Sequence, residues 1–187
     1  TERLDLPPSR VVLAQLEIPL ASATEALRRA AASGARTLLD PAPAIELPRD
    51  LVAACEMVLP NEHEVEIAGG ARRLLDDGAQ RVVVTLGADG VEVFDRAERS
   101  LLIVDRSGTL IPSSRHDVFP VDVVDTTGAG DAFRGAFAAR LATGAPIEEA
   151  VRFASAAGAL ATTRAGAVPS LPRRAEIDAL VASVEPA

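Results

Sequence analysis

Short apolar runs alternate along the chain with stretches in which apolar residues recur every three or four positions, a pattern that predicts strands feeding helices. Val11 to Ile18 (VVLAQLEI) is an apolar run of strand length. Ser22 and Glu25 have the spacing of a capping box and predict a helix from there to Gly34. Thr37 to Asp40 reads as a short strand entering the turn Pro41-Ala42-Pro43, and Leu51 to Ala54 as a helical turn before the strand Met57 to Leu59. Pro60-Asn61 stops that strand and caps a helical stretch, which breaks at Gly69-Gly70 and resumes through Leu75. Arg81 to Leu86 is a strongly apolar strand, Gly87 to Gly90 a turn, and Val91 to Phe94 and Leu101 to Val104 are antiparallel partners. Val118 to Val124 is the next strand-like run. Helices follow at about 129–141, at about 147–161 and after the Gly/Pro loop of residues 165–172, the last ending near Val184. Strand and helix in turn predict one α/β domain over residues 1–187, its sheet mostly parallel with some antiparallel strands and helices on both faces.

Composition narrows the chemistry. The chain has 187 residues, 48% of them hydrophobic, and a formal charge of −8. That supports a packed core and argues against nucleic acid or an anionic membrane as partner. All 19 basic residues are arginine, which excludes the lysine-dependent P-loop and Schiff-base chemistry. A single cysteine, Cys55, forbids an internal disulfide, and two histidines, His63 and His116, are too few for a three-histidine metal centre. With no tryptophan or tyrosine, stacking platforms for single strands are poorly supplied. No apolar run approaches the ~20 residues that span a bilayer; a cytoplasmic, reducing setting is expected. The histidines read as surface residues and Cys55 as a buried small side chain.

The segment Asp125-Thr-Thr-Gly-Ala-Gly-Asp-Ala-Phe133 concentrates the candidate chemistry. A helix starting within a turn of small residues directs the backbone N–H groups of Gly128, Ala129, Gly130 and Asp131 at an anion, with the helix dipole adding to the attraction. A carboxylate beside such a cradle repels a phosphate, but it suits a base that takes the proton of an attacking hydroxyl. The plainer reading is a glycine-rich cap with Asp131 as a first-turn acid. A dinucleotide turn is disfavoured because the third glycine of G-x-G-x-x-G is missing.

This segment resembles the signature of the ribokinase-like sugar kinases of the phosphofructokinase-B type. Further motifs match in order: Leu39-Asp40-Pro41-Ala42-Pro43 is similar to the family's N-P-A-P turn, with Asp for Asn. Leu59-Pro60-Asn61-Glu62-His63-Glu64 resembles its P-N-x-x-E segment, and Val84 to Gly90 its nucleotide-side strand and turn. Thr163 to Ser170 (TRAGAVPS) is similar to a loop of the ribokinase branch. The resemblance implies a three-layer α/β/α fold lacking the family's N-terminal strands, β lid and sugar-gripping glycine pair. It implies transfer of the ATP γ-phosphate to a small sugar, most simply D-ribose to ribose 5-phosphate.

The same resemblance assigns roles. Asp131 would be the base, and Gly128, Ala129 and Gly130 the anion hole. Asn61 and Glu64 would position Mg²⁺ through waters. Thr85, Gly87, Gly90 and Gly130 would border the nucleotide, with Ser155 near the adenine, and Glu17 would contact the sugar. Asp125, Thr127, Ala161, Arg164, Gly166 and Ser170 would form a K⁺ site. Read without the resemblance, Asn61 is a helix cap followed by surface acids and Glu17 an exposed acid at a strand end. Two other functions stay open: a non-catalytic nucleotide-binding remnant, and a kinase for another sugar or a nucleoside. Missing strands would leave a sheet edge that pairs with a second copy or a partner.

Overall fold

The computed structural model describes residues 7–97, 101–104, 110, 111 and 119–184. His116 and Val118 lie outside them. The strands β1 (Val11–Ala14), β2 (Arg36–Leu39), β3 (Met57–Val58), β4 (Arg81–Thr85), β5 (Val91–Asp95), β6 (Leu101–Val104) and β7 (Leu110–Ile111) follow one another in the sheet in chain order. β1 to β4 are parallel, in register Val11 to Arg36, Leu38 to Met57 and Met57 to Arg81. β6 and β7 are antiparallel. The architecture is the expected mainly parallel α/β sheet with helices around it. The chain divides into two compact units, residues 1–85 with 93–101 and residues 86–92 with 102–187.

In the first unit the crossovers are α1 (Leu20–Ala32), α2 (Arg49–Val52), and the pair α3 (Glu62–Ile67) and α4 (Ala71–Asp77). Leu38, Leu39, Met57, Val58, Val82 and Val83 are buried along consecutive strand positions, as expected of parallel strands covered on both faces. Leu27, Leu51, Val52 and Leu74 from the helices complete this core. Helix α1 begins at Leu20, ahead of the expected Ser22 cap. Pro19, at φ −54°, already has the required torsion, and its carbonyl accepts the N–H groups of Ser22 and Ala23. Glu25 is thereby free to pair with Arg28 and Arg29.

At the N-terminal ends of β2 to β4 the charges alternate. Arg36 Nη2 lies 2.7 Å from Glu56 Oε1, Arg81 Nη1 4.0 Å from the same oxygen, and Arg81 Nε 2.6 Å from Asp95 Oδ2. A cavity of about 310 Å³ opens at this end, lined by Arg36, Thr37, Cys55, Glu56 and Gln80 among others.

In the second unit α5 (Ala129–Ala142) and α6 (Ile147–Ala161) pack along their lengths, with α7 (Ala167–Ser170) and α8 (Arg174–Ser183) against α6. Gly158 permits the close approach: a Cβ there would stand 3.4 Å from the Ala129 carbonyl and 3.6 Å from Phe133 Cβ. Phe119, Phe153, Ala156, Ala157 and Ile177 form a buried cluster. Residues 119–124 are not a strand, contrary to the sequence pattern. The N–H groups of Val124 and Asp125 donate instead to the Thr162 carbonyl at the end of α6 (2.8 and 3.1 Å), and Val123 and Val124 are exposed.

Candidate active site

Open α/β sheets bind ligands beyond the carboxyl ends of their strands, and in the first unit the expected residues gather there. The β1 strand stops at Ala14, so Glu17 lies three residues past it rather than at its end, and it is exposed. Leu16 ties this bend to the next strand by donating to the Ala42 carbonyl (2.9 Å), beside the cis peptide Ala42–Pro43. Beyond β3, Asn61 caps α3: its Oδ1 accepts the Glu64 N–H, while Glu64 Oε2 accepts the Asn61 N–H, both at 2.8 Å. Glu64 is buried, unlike the surface acid of the plainer reading, and His63 is exposed. Thr85, last in β4, bridges to Asn61 and donates its N–H to the Pro60 carbonyl (3.0 Å).

Asp40 is fully buried at the end of β2, and Gln15 Nε2 donates to its Oδ2 at 2.7 Å. The Asp in place of Asn within the P-A-P turn was the available signal; its burial was not legible from composition or period.

In the second unit, Gly87 to Asp89 form a 3₁₀ turn and Leu86 N–H closes it on the Gly90 carbonyl (2.8 Å). Gly87 and Gly90 have φ of 56° and 94°, a region where a side chain is strained. Gly128 caps α5 in the left-handed conformation, φ 79° and ψ 0°. A Cβ there would lie 3.1 Å from Ala167 Cα. Glycine is therefore needed twice at this position, for torsion and for the approach of α7. Ala129 donates its N–H to the Thr126 carbonyl (3.2 Å), which removes it from the expected set of outward donors. Helix geometry gives the N–H group of Gly130 no acceptor within α5. Asp131 is exposed in the first turn.

Asp125 holds the neighbouring loop. Its Oδ1 accepts the Thr127 N–H (2.9 Å) and its Oδ2 the Gly166 N–H (2.8 Å). The Gly166 bond, then those from Thr127, bring the carboxyl down from 3.8 to about 2. Ser170 is fully buried, its hydroxyl donating to the Ala167 carbonyl (2.8 Å). Ala161, the last residue of α6, is buried, and Arg164 is exposed and paired with Glu176. Ser155 Oγ, on α6, is buried with no hydrogen-bond partner among the described residues.

Oxygen donors at Asn61 and Glu64 suit a hard cation. Among the described residues no group of three His, Cys, Asp or Glu side chains could hold a metal ion. The Asp125 carboxylate, ionised down to about pH 2, together with loop carbonyls, fits a monovalent cation. Cys55, whose thiol donates to the Leu51 carbonyl, is pushed up to about 12 by burial and takes no part. Among the described residues no helix is long and apolar enough to cross a membrane.

The residue pattern of the pfkB family carbohydrate kinases matches residues 9–174. A ribokinase from Schizosaccharomyces pombe is 33% identical over 183 residues, covering 90% of this chain and 54% of that protein. One from Haemophilus influenzae is 36% identical over 180 residues, with coverage of 90% and 54%. Among solved structures, ribokinase from Thermotoga maritima has a TM-score of 0.77 at 33% identity, covering 93% of this chain and 57% of that one. Arabidopsis thaliana ribokinase complexed with ribose and ATP has 0.77 at 30% identity, covering 91% and 55%. Phosphofructokinase-2 from Escherichia coli in complex with potassium has 0.69 at 28% identity, covering 93% and 56%. The chain spans about half the length of the relatives it matches. From its first parallel strand to the loop after α7, it belongs to the pfkB family of carbohydrate kinases.

Proposed function

We propose that the protein is an ATP-dependent sugar kinase with D-ribose as substrate. The observation that carries this is the α5 turn: Gly128 in the left-handed conformation opens a 14-residue helix with Asp131 exposed in its first turn. The opening turn of α5, with the N–H group of Gly130 and the helix dipole, holds the γ-phosphate as charge moves in transfer. Asp131 takes the proton of the attacking sugar hydroxyl, and the phosphorus–oxygen bond to ADP breaks as the new one forms. Thr85, Gly87, Gly90 and Ser155 line the nucleotide, and Glu17 accepts hydrogen bonds from the sugar. Asn61 and Glu64 would hold Mg²⁺, which neutralises phosphate charge when bound. Asp125, Thr127, Ala161, Arg164, Gly166 and Ser170 would hold K⁺, a reading supported by the potassium-bound neighbour. The choice of ribose rests on the ribokinase relatives and on the neighbour complexed with ribose and ATP.

A second reading that the same phosphate turn allows is nucleotide binding without turnover. ADP release from ATP with Mg²⁺ and K⁺, with and without ribose and with other sugars in its place, separates the two. Ribose-stimulated release that disappears in Asp131→Asn, while ATP binding persists, is the expected result. Undiminished release in that variant overturns the assignment of the base. ATP binding with no sugar-stimulated release supports the binding module.

A further inference from the structure

The chain leaving β1 is tied to the turn after β2 at two successive residues. Gln15 Nε2 donates to Asp40 Oδ2 at 2.7 Å, and the Leu16 N–H donates to the Ala42 carbonyl at 2.9 Å. Leu16 is buried, while Gln15 and Glu17 on either side of it are exposed. On the far flank Pro19 opens α1, its carbonyl accepting the N–H groups of Ser22 and Ala23. Glu17 therefore stands between fixed points at Leu16 and Pro19.

Asp40 is the unusual member of this tie. Its exposure is 0%, and an aspartate is almost never fully buried unless paired. The Asp40 N–H donates to the Ala14 carbonyl at 2.8 Å, which carries the strand pairing one residue past Leu39 and fixes the backbone from which the side chain reaches Gln15. An asparagine there offers both a donor and an acceptor, whereas a carboxylate only accepts. It therefore engages Gln15 through the nitrogen and sets the orientation of that amide, with the added strength of a charge-assisted bond. Pairing of β1 with β2 does not require the contact, since Val11–Ala14 and Arg36–Leu39 are in register through their backbones. Burying the carboxylate carries a desolvation cost. What it fixes in return is the bend bearing Glu17, at the carboxyl end of the sheet.

We propose that Asp40 is a positioning residue, which through Gln15 holds the bend that presents Glu17 to the sugar. The inference rests on reading Glu17 as the sugar contact. Asp40 touches no substrate itself. With the tie cut, the bend loosens, and the ordering of Glu17 falls on the sugar-binding step. Ground-state affinity for the sugar then drops while the transfer step is left alone, a change in KM rather than kcat.

Initial rates of ADP release, with ribose and ATP varied in turn, test this in wild type, Asp40→Ala, Asp40→Asn, Gln15→Ala and Glu17→Ala. Asp40→Ala and Gln15→Ala should each raise the ribose KM about five- to tenfold, with kcat and the ATP KM within about twofold of wild type. Combining them should add nothing, because both cut one bond. Asp40→Asn keeps an acceptor for Gln15 and should recover most of the loss. In the Glu17→Ala background neither substitution should raise the ribose KM further. A wild-type ribose KM in Asp40→Ala overturns the proposal. Equal changes in kcat and in both KM values make Asp40 structural and overturn it too. If Asp40→Ala fails to fold, Gln15→Ala at the exposed end of the bond decides: an unchanged ribose KM overturns the proposal and a selective rise supports it. Losses that add to that of Glu17→Ala overturn the route through Glu17. A wild type without ribose-stimulated release removes the kinase reading and the proposal together. Stimulated release whose ribose KM is indifferent to Asp40 and Gln15 removes the proposal alone.

Discussion

Replacing Gly128 by Ala tests the account of the α5 turn by stability alone, independent of any activity. Two terms oppose the alanine. A non-glycine residue in the left-handed conformation costs about 1–2 kcal/mol. The new Cβ would also sit 3.1 Å from Ala167 Cα, a backbone atom, and 3.4 Å from the Ala167 Cβ and carbonyl oxygen. Relieving such overpacking costs about 1–3 kcal/mol more. Gly144 supplies the matched control: its φ is +85°, against +79° for Gly128, and nothing lies within 4 Å of its Cβ position. Both glycines belong to the same compact unit. The loss of unfolded-state entropy on adding a methyl is common to both, so it cancels in the difference. Urea unfolding followed by circular dichroism should therefore place Gly128→Ala about 1–3 kcal/mol below Gly144→Ala. With a slope of about 2 kcal/mol per molar, the midpoints separate by about 0.5–1.5 M. Coincident midpoints would refute the close approach of Ala167 as the reason for glycine at 128. A Gly144→Ala variant more stable than wild type would refute the torsional term.

Three further outcomes are expected. Glu64→Gln keeps an acceptor for the Asn61 N–H, so thermal stability should barely change while Mg²⁺-dependent turnover falls; a large stability loss with unchanged Mg²⁺ dependence would make Glu64 only a cap. The Asp125 carboxyl is depressed in the folded state from 3.8 to about 2. Its contribution is full above about pH 4 and is lost as pH falls through 2. Asp125→Asn should therefore flatten the acid limb of the stability curve below about pH 4, and an unaltered slope contradicts the tie to Gly166. Cys55, pushed up to about 12, should react with a disulfide reagent at pH 8 only at the rate of unfolding, and rapid labelling in native buffer would show that the thiol is not buried.

What the sequence displayed was local. Asn61 and Glu64 stand three apart, and the reciprocal bonds between them need nothing beyond one helical turn, so spacing was enough to find the cap. Parallel strands were legible because burial on both faces leaves runs such as Val82–Val84 apolar without interruption. The start of α1 was misplaced because Ser22 and Glu25 imitate a capping box. Pro19 pre-sets the turn earlier, and no propensity rule weighs one starter against another. Residues 119–124 have the composition of a strand but give their last N–H group, and that of Asp125, to Thr162, a partner about forty residues away. The burial of Asp40 was missed for the same reason. Burial of a charge depends on what folds over it.

The charge ladder at the floor of β2 to β4 has a bearing on handling the protein. Its cations, Arg36 and Arg81, are guanidinium groups rather than amines. With neither lysine nor tyrosine in the chain, almost nothing titrates between about pH 8 and 11, and the folded surface keeps its electrophoretic mobility across that span. Amine-directed cross-linkers and fluorophores find no side chain to attach to. Mapping the assembly by chemical coupling must therefore use carboxylate- or guanidine-directed reagents, and a missing lysine cross-link carries no information about neighbours.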